Sequence, residues 1–289
     1  MAYRFTTRDV SMTEGVRRVA AEEFALIRRC LADKSFPVAV KVHEGRKATK
    51  RLRALLRLMA PVFPEARNEI AVLRAAARQL SALRDKGAMS ETLHRLQLAP
   101  EINERIERAM AQARGTGPAA QKRLLAAFRD EMEAAAGRAE GWTLEKEGWK
   151  ALAPGLERCQ RRFRKAMVAA RAAETDEPVH EFRKRAKDYW YQTLLLRSAF
   201  RDVMDGYAAA GERLGDDLGN WRDLGLLEEV VRNVPAHLLA KTEAADTLVS
   251  IAKARRRALR RAFRTAKRLA WETPDAQTAR LKAWWSVSH

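Results

Sequence analysis

The sequence predicts an all-α protein made of two pseudo-symmetric antiparallel four-helix bundles related by internal duplication. Ala, Leu, Arg and Glu dominate the 289 residues, and runs of β-branched residues are too sparse to indicate a sheet. Prolines and glycines divide the chain into long helical segments. One short pattern also occurs twice, which is typical of a repeated structural unit.

The first predicted half, residues 1–145, contains four long helices. Pro37 separates helices at 12–33 and 40–59, and Pro61 and Pro64 separate the latter from a helix at 65–84. A shorter helical piece fills 90–113, and the break at 115–118 precedes the closing helix at 119–136. Long antiparallel helices with short connections are what a four-helix bundle requires.

The second predicted half, residues 146–271, repeats this order. Its helices are predicted at 156–173, after Pro154-Gly155, and then at 179–200, 203–221 and 247–271, with a shorter piece at 224–243. Thr273-Pro274 ends the last helix. Residues 272–289 form a C-terminal tail. Three tryptophans at or beyond the end of the last helix, Trp271, Trp284 and Trp285, are predicted to dock onto the bundle.

The repeated pattern is H-E-x-R-K-x-x-K. It reads HEGRKATK at residues 43–50 and HEFRKRAK at residues 180–187. An Arg-Asp pair follows each copy, at Arg84-Asp85 and Arg222-Asp223, and is predicted to end the next helix. The two histidines are 137 residues apart and the two Arg-Asp pairs 138 residues apart. This nearly constant spacing indicates two related halves.

The first copy predicts a helix with two contrasting faces. At about 100° per residue, seven cationic or imidazole side chains fall within an arc of roughly 160°, with no carboxylate among them. They are His43, Arg46, Lys47, Lys50, Arg51, Arg53 and Arg57. Leu52, Leu55 and Leu56 occupy the other side, which is predicted to face a core. Cations this close together repel one another unless an anion lies between them.

The second copy keeps the opening of this face and then departs from it. His180, Arg183, Lys184 and Lys187 match the first copy. Asp188, Trp190 and Leu194 stand where the first copy has Arg51, Arg53 and Arg57. Tyr191 projects near the direction of His180 and Lys187, where its hydroxyl could donate a hydrogen bond to an anion.

A further basic stripe lies on the closing helix of the second half. Arg257, Arg260, Arg261, Arg264 and Arg268 share one face, opposite Leu259, Ala262 and Phe263. Their spacing suits a helix that lines the same groove as the repeated pattern. Any single charged face is more often plain solvated surface.

The overall charge indicates a polyanionic partner. The chain has 56 Lys and Arg against 37 Asp and Glu, for a net charge of +19. Self-repulsion of this size favours binding to polyphosphate, nucleic acid or an anionic surface. We expect no membrane span, because no stretch of about 18 uncharged apolar residues occurs. With two cysteines and no apolar leader, the protein is expected to be cytoplasmic.

No signature of catalysis or metal binding is present. The sequence lacks H-E-x-x-H, G-x-x-x-x-G-K-[ST] and G-x-S-x-G, and its carboxylates are not spaced to hold Mg²⁺. We therefore expect a binding protein rather than an enzyme, with no cofactor and no metal.

The paired H-E-x-R-K-x-x-K helices and the duplicated helical layout resemble the CHAD family, over roughly residues 10–270. The resemblance implies binding of inorganic polyphosphate through a basic surface or channel, and targeting to polyphosphate granules. It places on that surface His43, Arg46, Lys47, Lys50, Arg53 and Arg57 from the first copy, with His180, Arg183, Lys184, Lys187 and Tyr191 from the second. No E-x-E-x-K strand motif appears near the N-terminus, so a standalone CHAD protein is expected.

Two other functions share these electrostatics. A helical nucleic-acid-binding protein would use the same basic faces, but single-strand binders interleave aromatics for base stacking, and the first copy offers none. Attachment to an anionic membrane needs large apolar anchors, whereas the apolar sides of these helices are needed for a core.

Overall fold

The computed structural model describes residues 3–83, 86–112, 116–173 and 175–288. These residues form α-helices and two short 3₁₀ helices, with no strand among them, so the predicted all-α class is confirmed. The helices are α1 (Met12–Ala32), α2 (Val38–Met59), α3 (Ala66–Gln79), α4 (Lys86–His94), α5 (Pro100–Gln112), α6 (Pro118–Ala139), α7 (Gly148–Ala173), α8 (Asp176–Leu195), α9 (Arg201–Arg232), α10 (Lys241–Leu269) and α11 (Pro274–Ser288). The 3₁₀ helices span Leu80–Leu83 and Arg197–Ala199.

The contacts divide the chain into two compact units. The first unit comprises residues 1–84, 116–212 and 269–289, and the second comprises residues 85–115 and 213–268. This division differs from the predicted boundary at 145/146, because α2 from the first predicted half packs against α7 and α8 from the second. The arrangement as two pseudo-symmetric bundles stays a prediction.

Each unit has its own apolar core. In the first unit, fully buried residues of α1, α2, α6 and α7, among them Phe24, Leu55, Phe128 and Leu152, belong to one cluster. In the second unit, Leu93, Ile106, Leu227 and Ile251 belong to another. The leucines predicted on the apolar side of the first repeated helix, Leu52, Leu55 and Leu56, are all buried.

Helix α7 begins earlier than predicted and continues through Pro154. A break in the helix was predicted at Pro154 because proline has no backbone N–H to donate to the preceding turn. However, Ala151, Leu152, Gly155 and Leu156 are buried along one side of the helix. Tertiary packing of this continuous face outweighs the local preference at Pro154.

Helix α9 is also longer than predicted. It continues through Trp221, Arg222 and Asp223 to Arg232, so this Arg-Asp pair lies inside a helix rather than at its end. Leu214, Leu218, Trp221 and Leu224 are buried at helical spacing across the predicted boundary, which explains the continuity. The corresponding pair of the first copy, Arg84-Asp85, lies outside the described residues.

The predicted C-terminal tail is the helix α11, which packs against α7. Trp285 is buried, with its ring centroid 6.4 Å from that of Phe5 and 6.3 Å from that of Trp149. Trp284 meets Phe200 edge to face at 5.4 Å. Trp271, by contrast, is exposed. The docking prediction is therefore confirmed for two of the three tryptophans.

Gly155 is the point of closest approach between α7 and α2. A Cβ atom added there would lie 1.7 Å from the carbonyl oxygen of Leu58. We expect Gly155→Ala to lower the free energy of unfolding by about 1–3 kcal/mol, because the helices must move apart. Denaturant unfolding followed by circular dichroism measures this change.

Gly137 in α6 provides the matched control, since nothing lies within 4 Å of a Cβ atom added there. Gly137→Ala should leave stability unchanged or raise it by up to about 1 kcal/mol, because alanine is the better helix former. Equal stability of Gly155→Ala and the wild type would contradict the close approach.

Candidate functional site

Cations from α2 and α8 gather around the side chain of Lys50. Lys50 is half-buried, and burial together with nearby positive charge lowers the pKa of its amine to about 8. The cations that lower this pKa are Arg183, Arg46, Lys187 and Arg53, in that order. We call Arg46, Lys50, Arg53, Arg183 and Lys187 the Lys50 cluster. It draws residues from both copies of the repeated pattern within the first unit.

Lys50 itself has no counterion in the described part of the chain. No carboxylate oxygen of a described residue lies within 4.0 Å of its amine, whereas Lys47, on the same helix, lies 3.7 Å from Glu44. Crowded ammonium and guanidinium groups in a partly desolvated place destabilise one another. An anion that entered the cluster would relieve this repulsion.

Arg53 extends the cluster toward α3. Burial is the largest effect and, with Arg57, Arg74 and Arg185, it lowers the pKa of Arg53 to about 10, although Asp188 acts in the opposite direction. The Nε atom of Arg53 is buried and has no hydrogen-bond partner among the described residues. This buried donor adds to the cost of holding the Arg53 charge away from water.

Arg57 and Tyr191 do not lie on an open surface. Arg57 donates from Nη1 to Asp188 Oδ1 at 2.6 Å, and its side chain is only 13% exposed. Tyr191 is buried, stacked on Trp190 at 4.8 Å, and burial raises the pKa of its hydroxyl to about 12. Helical spacing placed both residues on the basic face, but the end of that face is covered where α2 meets α7 and α8.

Asp188 joins the two helices of the site. It accepts one hydrogen bond from Arg57 of α2 and another, at 2.8 Å, from Arg185 of its own helix, and all three side chains are nearly buried. Arg185 in turn donates to Glu181 at 2.7 Å. One feature of the sequence pointed to this network. Asp188 is an acidic residue in the second copy at the position where the first copy has the basic Arg51.

The start of the repeated pattern on α2, at His43, is more exposed, and its positive charge is partly neutralised. The His43 side chain is 73% exposed, and Nε2 lies 3.9 Å from Glu44 Oε1. Glu44 also pairs with Lys47, so the arc predicted to hold no carboxylate has one at its edge. On α8, Lys184 is exposed and pairs with Glu181 at 3.3 Å, while His180 is half-buried.

Arg51 faces away from the cluster, toward α1. It lies 3.3 Å from the buried carboxylate of Glu23 and over the ring of Tyr3 at 5.6 Å. Burial raises the pKa of Glu23 to about 7, although Arg51 lowers it. This pair therefore ties α1 to α2 and supports the helix that carries Lys50.

The sequence model of the CHAD domain family matches residues 38–232, about two thirds of the chain. The chain belongs to the CHAD family. The matched range begins at the first residue of α2 and contains α7 and α8, so the CHAD region includes the whole Lys50 cluster. A search of curated proteins finds no match to this chain.

The second predicted stripe lies outside the CHAD region, on α10 in the second unit. Arg257, Arg260 and Arg264 are exposed, and Arg261 donates to Asp217 Oδ1 at 2.8 Å. Of the residues predicted on the opposite face, Leu259 and Ala262 are buried and Phe263 is half-buried. That these arginines line the same groove as α2 and α8 stays a prediction.

Over the described ranges, no group of three or more His, Cys, Asp or Glu residues is arranged to hold a metal ion. No described helix is both long enough and apolar enough to cross a membrane.

Proposed function

We propose that this CHAD protein binds inorganic polyphosphate, without catalysis, through the Lys50 cluster. The observation that carries this proposal is the half-buried Lys50, without a counterion among the described residues and surrounded by cations of both repeated helices. The family resemblance supports the same ligand. Binding to polyphosphate granules in the cytoplasm would follow from the same contacts.

A linear chain of phosphates suits the chemistry of this cluster. Residues three and four apart on one helix lie about 5–6 Å from each other, so Arg46, Lys50 and Arg53 offer successive contacts along α2. Arginine binds phosphate oxygens through a fork of N–H donors, and lysine acts as a point charge. Arg183 and Lys187 approach Lys50 from α8 and supply the second side.

Arg57 takes a different part in this proposal. Its charge is already neutralised by Asp188, so we assign it to holding α2 against α8. Tyr191 is likewise assigned to packing, since it is only 3% exposed.

Competition between polyphosphate and RNA tests the ligand class. The aromatic residues beside the cluster are not free for base stacking, because Tyr191 is buried and the amine of Lys187 lies over the ring of Trp190 at 4.3 Å. We expect long polyphosphate to displace single-stranded RNA of equal charge at least about tenfold more effectively than the reverse. Equal or better binding of RNA in fluorescence competition would favour the nucleic-acid alternative.

The affinity should also depend on pH through Lys50. Bound phosphate favours the ammonium form and raises the pKa of Lys50 above its free value of about 8. Affinity is therefore fully present below that value and falls as the pH rises through it. At about pH 9 we expect binding roughly tenfold weaker than at about pH 7, because only about one molecule in ten keeps the proton before binding.

Lys50→Arg provides the control for this pH effect, since arginine stays charged throughout the range. Its polyphosphate affinity should change much less than that of the wild type between those two pH values in isothermal titration calorimetry. Parallel pH profiles of the two proteins would show that another group is responsible.

A further inference from the structure

The exposed side of α10 is a basic surface that the CHAD match does not include. The match ends at residue 232, before α10 begins at Lys241. No Asp or Glu occurs between residues 247 and 271, and eight cations of this segment are exposed. We call these eight residues the α10 face: Lys253, Arg256, Arg257, Arg260, Arg261, Arg264, Lys267 and Arg268. We propose that the α10 face binds double-stranded DNA along its major groove. This inference goes beyond the proposed function and does not depend on it.

One of the eight cations has a counterion within the chain. Arg261 donates from Nε to Asp217 Oδ1 at 2.8 Å. For the other seven, no carboxylate oxygen of a described residue lies within 4.0 Å of a charged nitrogen. Solvent ions therefore balance these seven charges in the free protein. A polyanion that bound here would release those ions, which favours its binding.

The helical repeat arranges the α10 face into two flanks. At about 100° per residue, the eight cations fall within an arc of about 140°. Arg256 and Arg260 lie toward one edge of this arc, and Arg257 and Arg264 lie toward the other. On the opposite side of the helix, Ile251 belongs to the apolar core of the second unit. The core therefore holds α10 by one side, and both flanks face solvent together.

These dimensions suit the major groove of a DNA duplex. An α-helix with its side chains is about 10–12 Å across, and the major groove of B-form DNA is about 12 Å wide. A row of phosphates borders the groove on each side, so each flank of the α10 face would meet one strand. The segment from Lys253 to Arg268 rises by about 22 Å, which is the length of about six base pairs.

Other polyanions match the α10 face less well. Polyphosphate is a single row of phosphates, so a chain that follows one flank leaves the other without a partner. The major groove of an RNA duplex is deep and narrow, and it does not admit a helix of this width. Single-stranded nucleic acids are held largely by stacking on aromatic side chains, and the α10 face consists of lysine and arginine alone.

The composition of the α10 face indicates binding with little sequence preference. Arginine binds phosphate oxygens through a fork of N–H donors, and lysine acts as a point charge. Contacts to phosphates position a protein on the duplex without reading its sequence. We therefore expect dissociation constants between about 1 and 100 μM near physiological salt, as is typical of non-specific DNA binding.

Fluorescence anisotropy of the full chain with a labelled DNA duplex of about 20 base pairs tests the proposal. The variant replaces four exposed arginines by glutamine, two from each flank: Arg256, Arg257, Arg260 and Arg264. Its helical circular dichroism should match the wild type, because glutamine is a good helix former. We expect its DNA affinity at about 50 mM salt to fall by at least about tenfold. The slope of log affinity against log salt concentration should decrease by about three to four.

A control variant removes the same charge elsewhere, by glutamine replacement of Lys34, Lys122, Arg123 and Arg129, all of which are exposed. Its DNA affinity should stay within about threefold of the wild type. Equal losses in the two variants would overturn the proposal, because net charge alone would then account for binding. Equal or tighter binding of an RNA duplex or a single-stranded DNA of the same length would overturn the assignment to the major groove.

Polyphosphate affinity of the same proteins separates this inference from the proposed function. Glutamine replacement of Arg46, Lys50, Arg183 and Lys187 should weaken polyphosphate binding and leave most of the DNA affinity. The α10 variant should show the reverse. Unchanged polyphosphate binding in the cluster variant contradicts the proposed function alone, and unchanged DNA binding in the α10 variant contradicts this inference alone. If the α10 variant lost affinity for polyphosphate as much as for DNA, a shared polyphosphate groove rather than a DNA surface would be indicated, and this inference would be overturned.

Discussion

Replacing Arg46, Lys50, Arg183 and Lys187 together by glutamate is expected to abolish polyphosphate retention while the helical circular dichroism signal stays intact. The four residues form the part of the site in which both repeated helices meet. The change turns an attractive surface into a repulsive one, and we expect affinity to fall by more than about a thousandfold at moderate salt. Filter retention or calorimetry with long polyphosphate measures it.

A matched control changes the net charge by the same amount elsewhere in the first unit. Lys34, Lys122, Arg123 and Arg129 are exposed, and their joint replacement by glutamate leaves the Lys50 cluster in place. This variant should retain most of the affinity. If the two variants lost affinity equally, net charge rather than a defined site would account for binding.

The salt dependence of polyphosphate affinity also tests whether the Lys50 cluster makes the phosphate contacts. Each phosphate contact contributes about 0.7–0.9 to the slope of log affinity against log salt concentration for nucleic acids. By analogy, replacing Arg46, Lys50, Arg183 and Lys187 with glutamine, which removes their charge without reversing it, should reduce the slope by about three. An unchanged slope would place the phosphate contacts outside the cluster.

Removing the carboxylate of Asp188 is expected to cause the largest loss of stability. Asp188→Ala leaves the guanidinium groups of Arg57 and Arg185 without this counterion, in a place where their side chains are 13% and 10% exposed. Breaking a buried ion pair by removing one partner costs about 3–5 kcal/mol. We expect a decrease of this size in the free energy of unfolding, measured by urea denaturation, and weaker polyphosphate binding because α2 and α8 lose a common anchor.

Asp130 on α6 offers the comparison with an exposed ion pair. It lies 3.0 Å from Arg129, and both side chains are more than half exposed. Asp130→Ala should change stability by less than about 1 kcal/mol, since solvent screens the pair. Similar stability losses in the two variants would contradict the buried role of Asp188.

The repeated pattern and the helix faces could be predicted from sequence because they depend on spacing along one helix. Leu52, Leu55 and Leu56 are buried as the periodicity required, and Lys50 lies with Arg46 and Arg53. The fold class could be predicted for the same reason. These properties are set locally by side-chain chemistry and by the helical repeat.

The predictions that were wrong concern side chains that neighbouring helices bury. Helical spacing cannot show that α7 and α8 enclose Arg57, or that Tyr191 is packed against Trp190. Helical spacing also cannot show whether tertiary packing overrides a local helix break. For this reason the sequence did not predict that α7 continues through Pro154 and α9 through Trp221. The basic face of α2 was predicted to hold no carboxylate, but the Glu44 side chain extends to within 3.7 Å of Lys47. This contact depends on the direction of the side chain, which helical spacing does not give.

A nuclear magnetic resonance titration of the Lys50 side chain, without and with short polyphosphate, tests the central claim most directly. The Lys50 cluster predicts an amine that titrates near 8 in the free protein and at a distinctly higher pH in the complex. A Lys50 amine that titrates at about 10.4, as an isolated lysine does, and does not respond to polyphosphate would contradict both the converging cations and the binding site that they form.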